Sequence, residues 1–131
     1  MQNNVSLFAE SPERVVKFIN ETFGGEVKCC EYSKNLSVCL DETTNSEIVV
    51  LSKHVPMTTA SQSFNRPGLS VGFNVKACTI DLMESLEREG WRQQLRKAGR
   101  KEIVEFWLEN KISLEYHSHE GKKEGLLIAH S

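Results

Sequence analysis

A chain of 131 residues with no Pro/Gly/Ser-rich divider fits a single domain, large enough to bury roughly two thirds of its unfolded surface. With 39% hydrophobic residues, 26% charged residues and a formal charge of −2, it has an ordinary globular composition and no net electrostatic reason to bind nucleic acid or an anionic membrane. No apolar run approaches the roughly 18 residues of a membrane span, and the opening Met1-Gln-Asn-Asn-Val lacks the basic and apolar regions of a secretory signal, so the expected compartment is the cytoplasm.

In chain order, residues 5–9 alternate as a strand, and Ser11-Pro12-Glu13 reads as a helix start: Ser at the N-cap, Pro at the first helical position, a carboxylate in the first turn. Val15, Val16, Ile19 and Phe23 then share a helical face, with Phe18 at its edge, until Gly24-Gly25 stops the helix. Three short strands are predicted at 27–32, 36–40 and 48–51, divided by Ser33-Lys34-Asn35 and a polar loop at 41–45. Residues 53–68, with Pro56 and Arg66-Pro67-Gly68, read as a connector anchored by Phe64.

The pattern then restarts. Leu69, Val71, Phe73 and Val75 alternate with Ser70, Gly72 and Asn74, and a second helix with Ile80, Met83 and Leu86 inward, flanked by Leu82, runs from near Cys78-Thr79 to Gly90. Residues 91–98 suit a short helix by apolar spacing, whereas repetition of the first unit predicts a strand. Residues 103–108 and 112–117 are strands joined by Glu109-Asn110-Lys111, with Ile112, Leu114 and Tyr116 on one face and Ser113, Glu115 and His117 on the other. Trp107 faces the core if that turn has two residues and the opposite side if it has three. Residues 125–130 form an apolar tail, suited to an edge strand or to covering a partner.

Two βαβββ units in tandem, about 4–52 and 69–119, with echoes at Asn4-Val-Ser-Leu-Phe-Ala-Glu-Ser, Ile48-Val-Val-Leu-Ser, Leu69-Ser-Val-Gly-Phe-Asn-Val and Asn110-Lys-Ile-Ser-Leu-Glu, resemble the vicinal oxygen chelate superfamily. This is the glyoxalase, bleomycin-resistance and extradiol-dioxygenase group. The resemblance implies an α+β fold: an incomplete eight-stranded barrel around a concave cavity, with the helices outside. It also implies a divalent metal held by His or Glu from the first strand of each module and Glu from the last. Those positions are Asn4, Ser70 and Ser113 here, and an amide with two hydroxyls is too weak a shell, so no metal cofactor is expected. The cavity wall implied by strand parity is Ser6, Phe8, Ser70, Gly72, Asn74, Ser113, Glu115 and His117.

Glu115, His117 and His119 form a carboxylate-x-His-x-His set that supplies zinc ligands or acid–base groups if His54 or His130 comes close, and a solvated strand end if not. Arg88, Arg92, Arg96 and Arg100 recur every four residues, but Gly90 and Gly99 interrupt the helix that would align them and Glu84, Glu87, Glu89 and Glu102 neutralise them, which favours a solvated basic hairpin with anion recognition open to one or two arginines. The cysteines Cys29, Cys30, Cys39 and Cys78 form no CxxC and read as small buried hydrophobes. No Gly-rich phosphate loop or nucleophile elbow is present. The resemblance, to a superfamily whose members without the metal triad include proteins that sequester a drug or metabolite between two protomers, implies a protein that binds or sequesters a small organic molecule without a metal. The open sheet edges of such a fold lead to the expectation of a homodimer. The alternatives are a divergent metal-dependent lyase, isomerase or dioxygenase using Glu115 or His117, and a protein-interaction adaptor using residues 121–131.

Overall fold

In a computed structural model that describes residues 4–29, 35–41, 46–52, 70–119 and 123–130, the described residues fold as two sheets and two helices. The first unit is β1 (Asn4–Ala9), α1 (Pro12–Phe23), β2 (Glu26–Cys29), β3 (Leu36–Asp41) and β4 (Ser46–Ser52). Its sheet runs β1-β4-β3-β2, with β1 parallel to β4 and the other pairs antiparallel. Alternation decides which side is buried: Val5 sits opposite Ile48 and Leu7 opposite Val50, all on the core side, while Asn4, Ser6 and Phe8 face the other way.

The second unit repeats the order with β5 (Ser70–Val75), α2 (Thr79–Glu89), β6 (Gln93–Ala98), β7 (Lys101–Leu108) and β8 (Ile112–Ser118). The ambiguous stretch after Gly90 is thus a strand, because Gly90 takes the left-handed conformation at φ 76° and ends α2 directly ahead of it. The inward face of α2 differs from the expected one. Leu82 and Leu86 are fully buried, Met83 is half-buried, and Ile80 is 65% exposed, one position outside the stripe that meets β7.

The tail departs most from expectation. Residues 125–130 form β9 (Gly125–His130), which lies between β5 and β8, so the sheet order is β5-β9-β8-β7-β6 with every pair antiparallel. Among the described residues there are therefore nine strands in two open sheets, of four and five, and no closed barrel. Gly125 permits the insertion, since a Cβ there would meet the His117 carbonyl oxygen and lie 2.7 Å from the Tyr116 ring.

One apolar cluster joins both sheets and both helices. Its bridge is aromatic: Phe18 of α1 meets Trp91 at 5.1 Å and Phe106 at 6.4 Å between centroids, and Phe23 meets Phe106 at 6.3 Å and Tyr116 at 6.1 Å. Tyr116 is fully buried and donates its hydroxyl proton to the Ala77 carbonyl at 2.7 Å. Burial pushes its phenol up to about 12, with smaller contributions from Cys78 and Glu124.

The turn between β7 and β8 holds both helices. Glu109 and Asn110 adopt left-handed backbone (φ 54° and 60°), and the Glu109 carboxylate accepts from the backbone N–H groups of Glu10 and Ser11 at 2.9 and 2.8 Å. The Ser11 hydroxyl makes no capping bond to α1, and the chain entering the helix is held instead by an acidic side chain from the other module, on the two N–H groups just ahead of the first turn. Asn110 accepts from the Arg92 N–H at 2.7 Å and donates to the Gly90 carbonyl at 3.4 Å, fixing the chain where α2 turns into β6. Lys111 pairs with Glu10 at 2.6 Å, and that hydrogen bond raises its pKa. Among the described residues no helix is long and apolar enough to cross a membrane.

Candidate functional site

The side of the five-stranded sheet turned away from the core carries three rows of side chains, fixed by the strand register. The first crosses from Ser70 to His130, continues in register to Ser113, then to Trp107, and ends at Arg92, whose carbonyl accepts from the Trp107 N–H at 3.0 Å. The second is Gly72, Ile128, Glu115, Glu105 and Gln94. The third is Asn74, Leu126, His117, Ile103 and Arg96.

Within these rows the polar groups are largely satisfied by one another. Ser70 Oγ and His130 Nδ1 lie 2.7 Å apart. Glu115 Oε2 and His117 Nε2 lie 3.0 Å apart, both about a quarter exposed (26% and 29%). Arg96 donates to Glu105 at 2.6 Å. The Arg92 guanidinium lies over the Trp107 indole at 4.4 Å from the ring centroid. Trp91 is 5% exposed and packs in the core between Phe18 and Arg14, so the two tryptophans have opposite environments. Trp107 owes its orientation to the three-residue turn, which pairs Leu108 with Ile112 and therefore Trp107 with Ser113.

The expected wall residues are divided between the sheets. Ser70, Gly72, Asn74, Ser113, Glu115 and His117 all lie in the three rows, whereas Ser6 and Phe8 lie on the corresponding face of the four-stranded sheet with Val49 and Leu51 beside them. Ser6 is 3% exposed and Phe8 is half-buried. Asn4 is on that same face opposite Glu47, and its buried Oδ1 has no hydrogen-bond partner among the described residues.

Asn4, Ser70 and Ser113 do not fit a divalent-metal shell. Their donors are neutral, Ser70 is engaged with His130, and β9 separates Ser70 from Ser113 by two strand spacings, about 9.5 Å, where one metal needs its ligands about 2 Å away. The proposed zinc set is also dispersed. His119 lies beyond the end of β8, its N–H bonded to the Glu124 carbonyl, and His130 is two rows from His117, roughly 13 Å along the strands. His54 lies outside the described residues, and among the described residues no group of three or more His, Cys, Asp or Glu is placed to hold a metal ion.

Sequence reasoning left Trp107 undecided and did not place Arg92 or His130 on this surface. The lengths of the turn and tail would have identified both faces, but only once β9 was known to pair internally. The arginine series falls apart as the glycines suggested: Arg88 is on α2, Arg92 and Arg96 are on the open face of the second sheet, and Arg100 is in the two-residue turn between β6 and β7. Of the cysteines, Cys39 is buried and Cys78 half-buried, whereas Cys29 is exposed because every residue of β2 is exposed at the edge of its sheet. Cys30 lies outside the described residues.

No protein-family model and no curated protein matches the sequence. Among solved structures the chain is similar to Oxidase ChaP-H2, with a TM-score of 0.59 over 94% of this chain and 97% of that one. The identity is 13%, so the likeness is one of fold. Because it takes in nearly all of both chains, it covers the pair of units and not one βαβββ module alone.

Proposed function

We propose that the chain is a glyoxalase- and bleomycin-resistance-like member of the vicinal oxygen chelate superfamily that binds a small organic molecule without a metal. In this reading the two sheets form an incomplete barrel, and the ligand lies on the inner wall carrying Ser6, Phe8, Ser70, Gly72, Asn74, Ser113, Glu115 and His117. The tandem βαβββ order and the fold of ChaP-H2 support the superfamily. The approach of β3 to β5 and of β1 to β8 supports a shared wall. A homodimer would cover the exposed edge strands β2 and β6.

The observation that carries the binding role is Trp107 beside Ser113, on the side away from the core. A half-buried indole with the Ser113 hydroxyl beside it provides a stacking surface with an orienting hydrogen-bonding group, a usual pairing in an organic-ligand site.

A second reading, a lyase, isomerase or dioxygenase, is supported by the Glu115–His117 pair, whose carboxylate and imidazole are close enough to share a proton, and by the description of ChaP-H2 as an oxidase. Elemental analysis after incubation with zinc, nickel, manganese and ferrous ion separates the two. The binding reading expects substoichiometric metal in every case. Tight stoichiometric metal that disappears in Glu115→Ala and His117→Ala would overturn the non-metal reading.

A further inference from the structure

The charges on the open face of the second sheet do not cancel evenly. Both carboxylates in the second row are committed: Glu105 to Arg96 at 2.6 Å and Glu115 to His117 at 3.0 Å. The first row, Ser70, His130, Ser113, Trp107 and Arg92, contains no carboxylate. Arg92 is exposed, and among the described residues its guanidinium has no counter-ion. Its backbone is fixed on both sides, by Asn110 at its N–H and by the Trp107 N–H at its carbonyl.

Stacking on an indole uses the flat face of a guanidinium and leaves the in-plane N–H groups at its edge free, the arrangement that receives a carboxylate through two parallel hydrogen bonds. The indole also desolvates one side of the cation, which strengthens its attraction for an anion. Next to this pair lies the Ser113 hydroxyl, and the Ser70–His130 pair continues the row on the two strands beyond it.

We propose, building on the small-molecule reading above, that the ligand is a planar aromatic anion, with its ring against the Trp107 region and its carboxylate or phenolate held by Arg92. Row one takes the anion, while the carboxylates of row two, about 6.7 Å away along the strands, are already paired with Arg96 and His117 and so are not free to receive a cationic ligand. Arg92 acts here as a specificity-determining residue, selecting ligand charge.

The test uses three naphthalene probes differing only in charge: naphthoate, its neutral amide and its cationic amidine. Each is titrated into the full chain by calorimetry at low salt, with wild type, Arg92→Gln and Arg92→Lys. The expected result is naphthoate binding about tenfold or more tighter than the amide in wild type, a ratio falling to about one in Arg92→Gln, and an intermediate ratio in Arg92→Lys, which keeps the charge without the fork. An unchanged ligand-free unfolding midpoint and circular dichroism spectrum in Arg92→Gln show that the variant is folded. Equal or tighter binding of amide or amidine to wild type overturns the charge assignment and leaves the small-molecule reading standing, as does a ratio that survives Arg92→Gln. If none of the three binds, the inference falls, and the broader compound screen described below decides the small-molecule reading separately.

Discussion

Single side chains decide two properties that neither helix nor sheet propensity reveals. Glu109 spans the modules to accept the backbone N–H groups of Glu10 and Ser11 just ahead of α1, while the Ser11 hydroxyl, the residue type a helix start calls for, makes no capping bond. Glu109→Ala should therefore cost about 1–2 kcal/mol in urea denaturation and Ser11→Ala less than about 0.5 kcal/mol, the reverse of what the local motif predicts. Tyr116 makes stability depend on alkaline pH. Its folded pKa of about 12 lies above the unfolded value of 10.0, so its contribution is complete below pH 10 and is lost as pH rises from 10 towards 12, where only the unfolded chain ionises readily. Tyr116→Phe should flatten this alkaline decline in chemical denaturation curves, at a neutral-pH cost of about 1–2 kcal/mol for the lost bond to the Ala77 carbonyl.

Among the elements, β9 has the largest effect on the architecture and was the hardest to anticipate. Leu127 sits opposite Tyr116 and Ala129 opposite Leu114, all four fully buried, so the last strand belongs to the centre of the sheet. Leu127→Ala should destabilise by about 2–4 kcal/mol in equilibrium unfolding, and Gly125→Ala should do comparable damage, because its methyl group meets backbone and a buried ring. Removal of 125–130 should abolish the cooperative transition, whereas a tail that merely docks a partner would come off without that loss. The repeated βαβββ order was legible because alternation and capping are local, as in Val71, Phe73 and Val75 or at Gly90. The position of β9 was not, because Leu126–Ile128 carries the same apolar pattern at an edge as at a centre. The face of Trp107 depended on one residue of turn length, and the face of α2 on whether Ile80 or Leu82 leads the stripe.

At the scale of the whole molecule, the two units are alike in order and unlike in pairing. In the first, β1 lies directly beside β4; in the second, β9 stands between β5 and β8. That insertion parts Ser70 from Ser113 and introduces His130 into the row, so two of the positions that the sequence resemblance aligned with metal ligands are held apart by an intervening strand. The same sheet gathers Trp107, Arg92 and the Glu115–His117 pair onto one surface, and the central claim is that this surface binds an organic ligand unaided by a metal. Its most direct test is a thermal-shift screen of aromatic compounds in the presence of a chelator, comparing wild type with Trp107→Ser. Some compounds should raise the wild-type midpoint in chelator and lose that effect in the variant; shifts that need added metal, or that persist undiminished without Trp107, would contradict metal-free binding at this surface.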